Sequence, residues 1–179
     1  MLDSPKDIIN LPNLAEIFEQ LRRGRHLCAF DGDLFRTLVA HEDRFTELFS
    51  NLGFELVAHH RGFYYFRTRQ KPSDAATRMT LFVFILIEWL SNRSQGIEES
   101  LLSENFTIAE LPHFAGERHT RIMNEAGIEN VEDLERILVQ LERFGFATRT
   151  MGVGFRFRPP ICRFLDICLD VLNESEAQS

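Results

Sequence analysis

Six histidines and three cysteines are the side chains of this 179-residue chain best suited to hold a metal or attack an electrophile. His59 and His60 are adjacent and could share an ion. A metal needs three or four protein ligands, and no acid or thiol stands near them in the sequence, so an exposed turn is the better reading. His113 and His119 are six residues apart and do not share a helix face. Cys28, Cys162 and Cys168 form an odd set without a CxxC, which makes neither a disulfide framework nor a zinc ligand set. Cys162 and Cys168 flank an apolar helical segment with no histidine placed to activate them, so they read as core. His41-Glu42-Asp43 falls between two helical patterns and reads as capping chemistry. There is no GxxxxGK[ST] and no GxGxxG. Gly152-Val153-Gly154 lies in a hairpin turn, where glycine supplies unusual backbone angles, and no helix follows to receive a phosphate. No catalytic residue, metal site or cofactor is expected, and the chain does not read as an enzyme.

The arginines offer a different chemistry. The 20 basic residues are 18 Arg and only 2 Lys, Lys6 and Lys71. Arg forks onto carboxylate or phosphate where Lys is a point charge. Arg22-Arg23-Gly24-Arg25-His26 is a compact cluster. Arg67 and Arg69 end one hairpin, and Arg149, Arg156 and Arg158 lie in another. Phosphate contact is one reading. Pairing with the many local acids is the other, and the two stand level. Residues 22–25 are the better DNA candidates because few acids interrupt them. With 27 acidic residues the net charge is −7, which disfavours strong autonomous DNA binding. The segment with Asp133, Glu135, Arg136, Gln140, Glu142 and Arg143 is too mixed in charge for a good major-groove reader.

The elements that carry these residues follow from periodicity. Leu14, Ile17, Phe18 and Leu21 predict a helix over about 12–23. Gly24 breaks it, and His26–Phe30 reads as a strand. Asp31-Gly32-Asp33 is a turn. Leu34, Phe35, Leu38 and Val39 make a second helix; Phe45, Leu48, Phe49 and Leu52 make a third, stopped by Gly53. Strands Phe54–Ala58 and Phe63–Thr68 flank the turn His59–Gly62. Helix, strand, helix, helix, hairpin is the order of a winged helix. Gln70-Lys71-Pro72-Ser73 is a boundary, and Ser73 or Asp74 caps a helix to about Ser91. Asn92–Asn105 reads as a polar loop with at most a turn of helix at Ile97, Leu101 and Leu102.

The order then repeats. Phe106–Ile108 is a strand, and Asn105 or Thr107 caps a brief helix through Leu111. Helices over Glu117–Ala126 and Val131–Phe144 follow, the latter capped by Asn130 and ended by Gly145. Strands Phe146–Thr150 and Gly154–Arg158 form a second wing. Pro159-Pro160 opens a closing helix, Ile161–Leu172, ahead of a polar tail. The predicted fold is α+β and mostly helical: two tandem winged-helix domains, 1–70 and 71–179, the second with the closing helix. The third-helix segments ending in Leu52-Gly53-Phe54 and Phe144-Gly145-Phe146 match, as do the wing strands. The N-terminus lacks a basic and apolar leader pattern. The most apolar run, Met79–Leu90, is too short to span a bilayer and contains Glu88. Reduced thiols and a cytoplasmic location follow.

Leu21–His26, then Glu55-Leu56-Val57, then Gly62–Arg69, resemble the N-terminal half of MukE, an accessory subunit of a bacterial condensin. Leu138–Phe146, Phe155-Arg156-Phe157 and Ile161–Phe164 resemble its second half. The length and the Cys-containing end look closer to MksE of the MukBEF-like condensins. The resemblance covers most of residues 12–170. It implies a non-enzymatic tandem winged-helix subunit that forms a homodimer and binds a kleisin (MksF-like). Through the kleisin it would meet an SMC-type ATPase (MksB-like), and DNA within the complex. Nucleoid association follows, with a role in chromosome condensation and segregation or in defence against plasmids, and no membrane. The chain is less basic than MukE around Leu138–Gly145, where Val139, Gln140 and Glu142 weaken a DNA role.

On this reading Arg22, Arg23, Arg25, Arg67 and Arg69 are the DNA-contact candidates. The wing strands supply Phe54, Leu56, Phe63, Tyr65, Phe155 and Phe157 as candidates for the kleisin or dimer interface. The alternative is a winged-helix transcription regulator that reads DNA itself, against which the acidic composition counts. A small enzyme with an unrecognised site is the third reading.

Overall fold

The computed structural model describes residues 10–68, 71–93 and 96–168. Internal contacts divide the chain into two compact units, the first ending at Gln70 and the second beginning at Lys71.

The first unit runs α1 (Leu14–Arg22), β1 (Leu27–Cys28), α2 (Asp33–Ala40), α3 (Glu42–Asn51), β2 (Glu55–His59) and β3 (Phe63–Arg67). Its antiparallel sheet has the order β1-β3-β2, with Leu27 opposite Tyr64 and Val57 opposite Tyr65. The strand expected over His26–Phe30 is only two residues long. Asp31 accepts the Cys28 N–H at 2.9 Å and folds Ala29–Asp31 into a 3-10 turn. The apolar positions of α1 recur at three and four residues, so Ile17 and Leu21 share a face and are buried with Leu38, Phe45, Phe49 and Tyr64. Phe18, Phe49, Phe54 and Phe66 close this core as an aromatic cluster; Phe49 meets Phe66 edge-on with ring centres 5.0 Å apart.

The second unit opens with α4 (Asp74–Ser91), and Ser73 Oγ caps it by accepting the Ala76 N–H at 3.2 Å. Met79, Phe82, Val83, Ile85, Leu86, Ile87 and Leu90 are all buried, so α4 is enclosed on most sides. No helix among the described residues is long and apolar enough to cross a membrane. Within the expected loop Asn92–Asn105 the structure has a full helix, α5 (Ile97–Ser103). Leu101, one helical turn after Ile97, is fully buried, and that burial organises a segment whose local composition is polar. Then come β4 (Phe106–Thr107), 3-10 turns at Ile108–Glu110 and Pro112–Phe114, α6 (Glu117–Glu125) and α7 (Val131–Arg143). The brief helix expected through Leu111 is therefore only the first of these 3-10 turns. Thr107 does not cap the first of them: its hydroxyl is bonded to Glu110 at 2.6 Å. Asn130 caps α7, accepting the Asp133 N–H at 3.0 Å. Strands β5 (Ala147–Arg149) and β6 (Gly154–Phe157) complete a second sheet, ordered β4-β6-β5. After a 3-10 turn at Pro159–Ile161, residues 162–168 are helical. The rest of the closing helix expected to Leu172, residues 169–172, lies outside the described residues.

The two units repeat one plan. In each a two-residue first strand leads through 3-10 structure (one turn in the first unit, two in the second) into two helices and a hairpin, with the first strand paired to the third. Gly53 and Gly145 occupy the same place after the longer of those helices, with φ of 82° and 83°. In both, the helix stops because glycine alone takes that left-handed turn without strain.

Candidate partner and nucleic-acid interfaces

The first arginine cluster sits where α1 ends. The Arg22 and Arg23 guanidinium groups converge on Glu19, at 2.9 and 2.6 Å, since residues three and four apart share a helix face. The Arg22 hydrogen bond, with the charges of both arginines, holds the Glu19 carboxyl below its usual range. Two cations share one carboxylate, so the helix end keeps a surplus positive charge. Both side chains are half exposed or more, at 50% and 62%. Arg25 differs. It is only 24% exposed and lies 2.9 Å from Asp31, the residue that ends β1. Arg67 faces its register partner Glu55 across β2 and β3 at 3.2 Å. Arg69 lies outside the described residues.

The second hairpin engages its arginines with groups of its own unit, although Arg149 and Arg156 are exposed. Arg149 reaches Glu135 at 2.9 Å and Glu142 at 3.1 Å, and these carboxylates, Glu135 foremost, bind its proton more tightly still. Arg156 donates to the Ser103 carbonyl at 3.2 Å, and Arg158 is buried.

Of the six expected interface side chains, Phe155 and Phe157 pack with Phe106 in the second core, with Phe155 completely buried. Phe63 and Tyr65 are buried as well, while Phe54 and Leu56 are half-buried against the first core. Fully burying one such side chain is worth about 2 kcal/mol. Periodicity marks a residue as apolar but does not say which side of a short strand is covered. The apolar side chains that do reach solvent include Phe30, Leu52, Val139, Met151 and Val153. A groove of about 650 Å³ in the first unit, lined by Leu11, Leu14, Phe18, Leu48, Phe49 and Leu52, adds to this surface.

The His59 ring stacks on Phe63 with centres 4.2 Å apart and on His60 at 4.4 Å. His113 is fully buried against Phe82, and its Nε2 lies 2.8 Å from the Phe82 carbonyl. Burial pushes its pKa down to about 4. Glu88, on α4, is met by Arg118 at 2.5 Å and His119 at 3.3 Å from α6. Those hydrogen bonds, Arg118 first, lower its pKa against the opposing effect of burial. Sequence reasoning missed this group, because the 30-residue separation leaves no local pattern. Burial raises the Cys168 thiol pKa, the opposite of activation.

A search of curated proteins finds no match. The family of condensin complex protein MksE matches residues 12–169, which takes in most of both units. Both repeats, and both hairpins with their arginines, fall inside that match; the chain belongs to the MksE family of condensin complex proteins.

Proposed function

We propose that this chain is a non-enzymatic accessory subunit of a bacterial SMC-type condensin, built from two tandem winged-helix domains that meet near residue 70. The observation that carries the reading is the family match over residues 12–169. The repeated topology, with each first strand paired to the hairpin's second strand, supports the winged helices. The subunit pairs with a second copy, binds the kleisin, and reaches the SMC ATPase through it. It works in the cytoplasm on the nucleoid, in chromosome condensation and segregation or in defence against plasmids. DNA in the assembled complex passes Arg22 and Arg23, whose surplus charge suits phosphate contact without sequence reading. Arg25, Arg67 and Arg69 extend that path. The net charge of −7 makes the free subunit a poor DNA binder, so partner subunits supply most of the positive surface.

Pull-down from a lysate containing the companion subunits tests this reading. The chain should recover the kleisin when the ATPase is absent. Recovery only through the ATPase would contradict it.

A further inference from the structure

The two hairpins look equivalent in sequence, but their outer edges differ. In the second sheet β5 is the outer strand of the hairpin. The Thr150 N–H bonds to Gly154 O and the Arg158 N–H to Phe146 O, each at 2.9 Å, so even-numbered residues of this strand face β6. Ala147 and Arg149 therefore turn their main chain outward. Neither is available. Ala147 is buried, and the Arg149 N–H is taken by Glu142 at 2.9 Å.

In the first sheet β2 is the outer strand, five residues long. The His59 carbonyl accepts the Gly62 N–H at 2.9 Å, and Gly62 has φ of 77°, a three-residue loop closed by a left-handed glycine. His59 thus faces β3, and alternation turns the main chain of Leu56 and Ala58 outward. Ala58 is exposed, and among the described residues no side chain bonds the main chain of either.

We infer that the β2 edge, through Leu56 and Ala58, is where an extended segment of the kleisin adds as a fourth strand, and that the β5 edge is closed to it. This rests on the proposed kleisin reading. A row of outward N–H and C=O groups accepts a strand and little else. Beside it Leu56, Phe54 and Phe66 form an apolar flank, with Phe54 and Phe66 stacked at 4.9 Å, which selects apolar residues at alternate positions of the guest. The edge is a ribbon about 17 Å long and one strand wide. That is far below the ~1,200 Å² or more of an autonomous interface, so it suits a segment tethered in a complex rather than a second copy of this chain.

Ala58→Pro removes an outward N–H without touching the β3 pairing, because proline is tolerated on a strand's solvent side. Ala58→Ser keeps the N–H. With the full-length chain and purified kleisin, Ala58→Pro should bind at least tenfold more weakly and Ala58→Ser as well as the native chain. Hydrogen exchange of the native chain should show slowed amides at Leu56 and Ala58 on kleisin addition, and no change across β5; this arm stands even if the proline variant misfolds. Equal binding by folded Ala58→Pro, or protection at β5 instead, overturns the edge assignment alone. Protection at β2 that grows with the chain's own concentration, kleisin absent, makes a second copy the occupant and overturns it too. If the native chain does not bind kleisin at all, the underlying reading fails with it.

Discussion

Glu142 holds Arg149 twice: one carboxylate oxygen accepts its main-chain N–H at 2.9 Å and the other its guanidinium Nε at 3.1 Å. A single side chain of α7 thus pins the edge of β5 and, with Glu135, offsets the Arg149 charge. Glu142→Ala should raise the amide exchange rate of Arg149 and cost the second unit about 1 kcal/mol, a modest value because both partners remain partly exposed. Exchange at Arg149 that matched the native chain would show the carboxylate plays no part in closing the edge.

Arg22 and Arg23 are the arginines to test on DNA. Arg25 is a poor choice, since Glu there would set two acids against each other at the turn that ends β1. Arg22→Glu with Arg23→Glu should lower the salt slope of DNA binding by the assembled complex by roughly two units, and its DNA-stimulated ATPase several-fold. Kleisin capture should survive. Loss of kleisin capture would mean the cluster pairs with an acidic protein surface.

Leu52, Phe30 and the apolar groove of the first unit leave oily surface on a small lobe, and a two-fold pairing is the commonest way to cover it. Light scattering at micromolar concentration should return twice the chain mass. A monomer mass across ordinary salt would exclude the dimer.

His113 predicts a pH dependence. Its folded pKa of about 4 lies below the unfolded value near 6.5, so below that value the unfolded chain binds a proton that the folded one refuses. Stability from this residue is full above about pH 6.5 and is lost as pH falls toward 4. Between pH 7 and 5 the loss is about 2 kcal/mol. Urea unfolding at those pH values should show it, and His113→Gln should remove that part of the slope. An unchanged slope in the variant would assign the acid sensitivity to other groups.

The order of elements was legible in the sequence because it depends on local physics. Apolar spacing marks α1, α3 and α7, Ser73 and Asn130 announce helix starts, and Gly53 and Gly145 announce stops. The matching glycines and hairpins make the repeat visible in the sequence itself. Two kinds of fact were not local. One was α5, a polar stretch made helical by the burial of Leu101. The other was the disposition of every charged group that matters here. Arg22 and Arg23 share Glu19, Arg149 is shared by Glu135 and Glu142, and Glu88 gathers Arg118 and His119 across 30 residues. Composition counts such charges and motifs locate them, but whether an arginine faces a partner or a neighbouring carboxylate depends on side-chain distances of a few ångströms, and folding alone sets those.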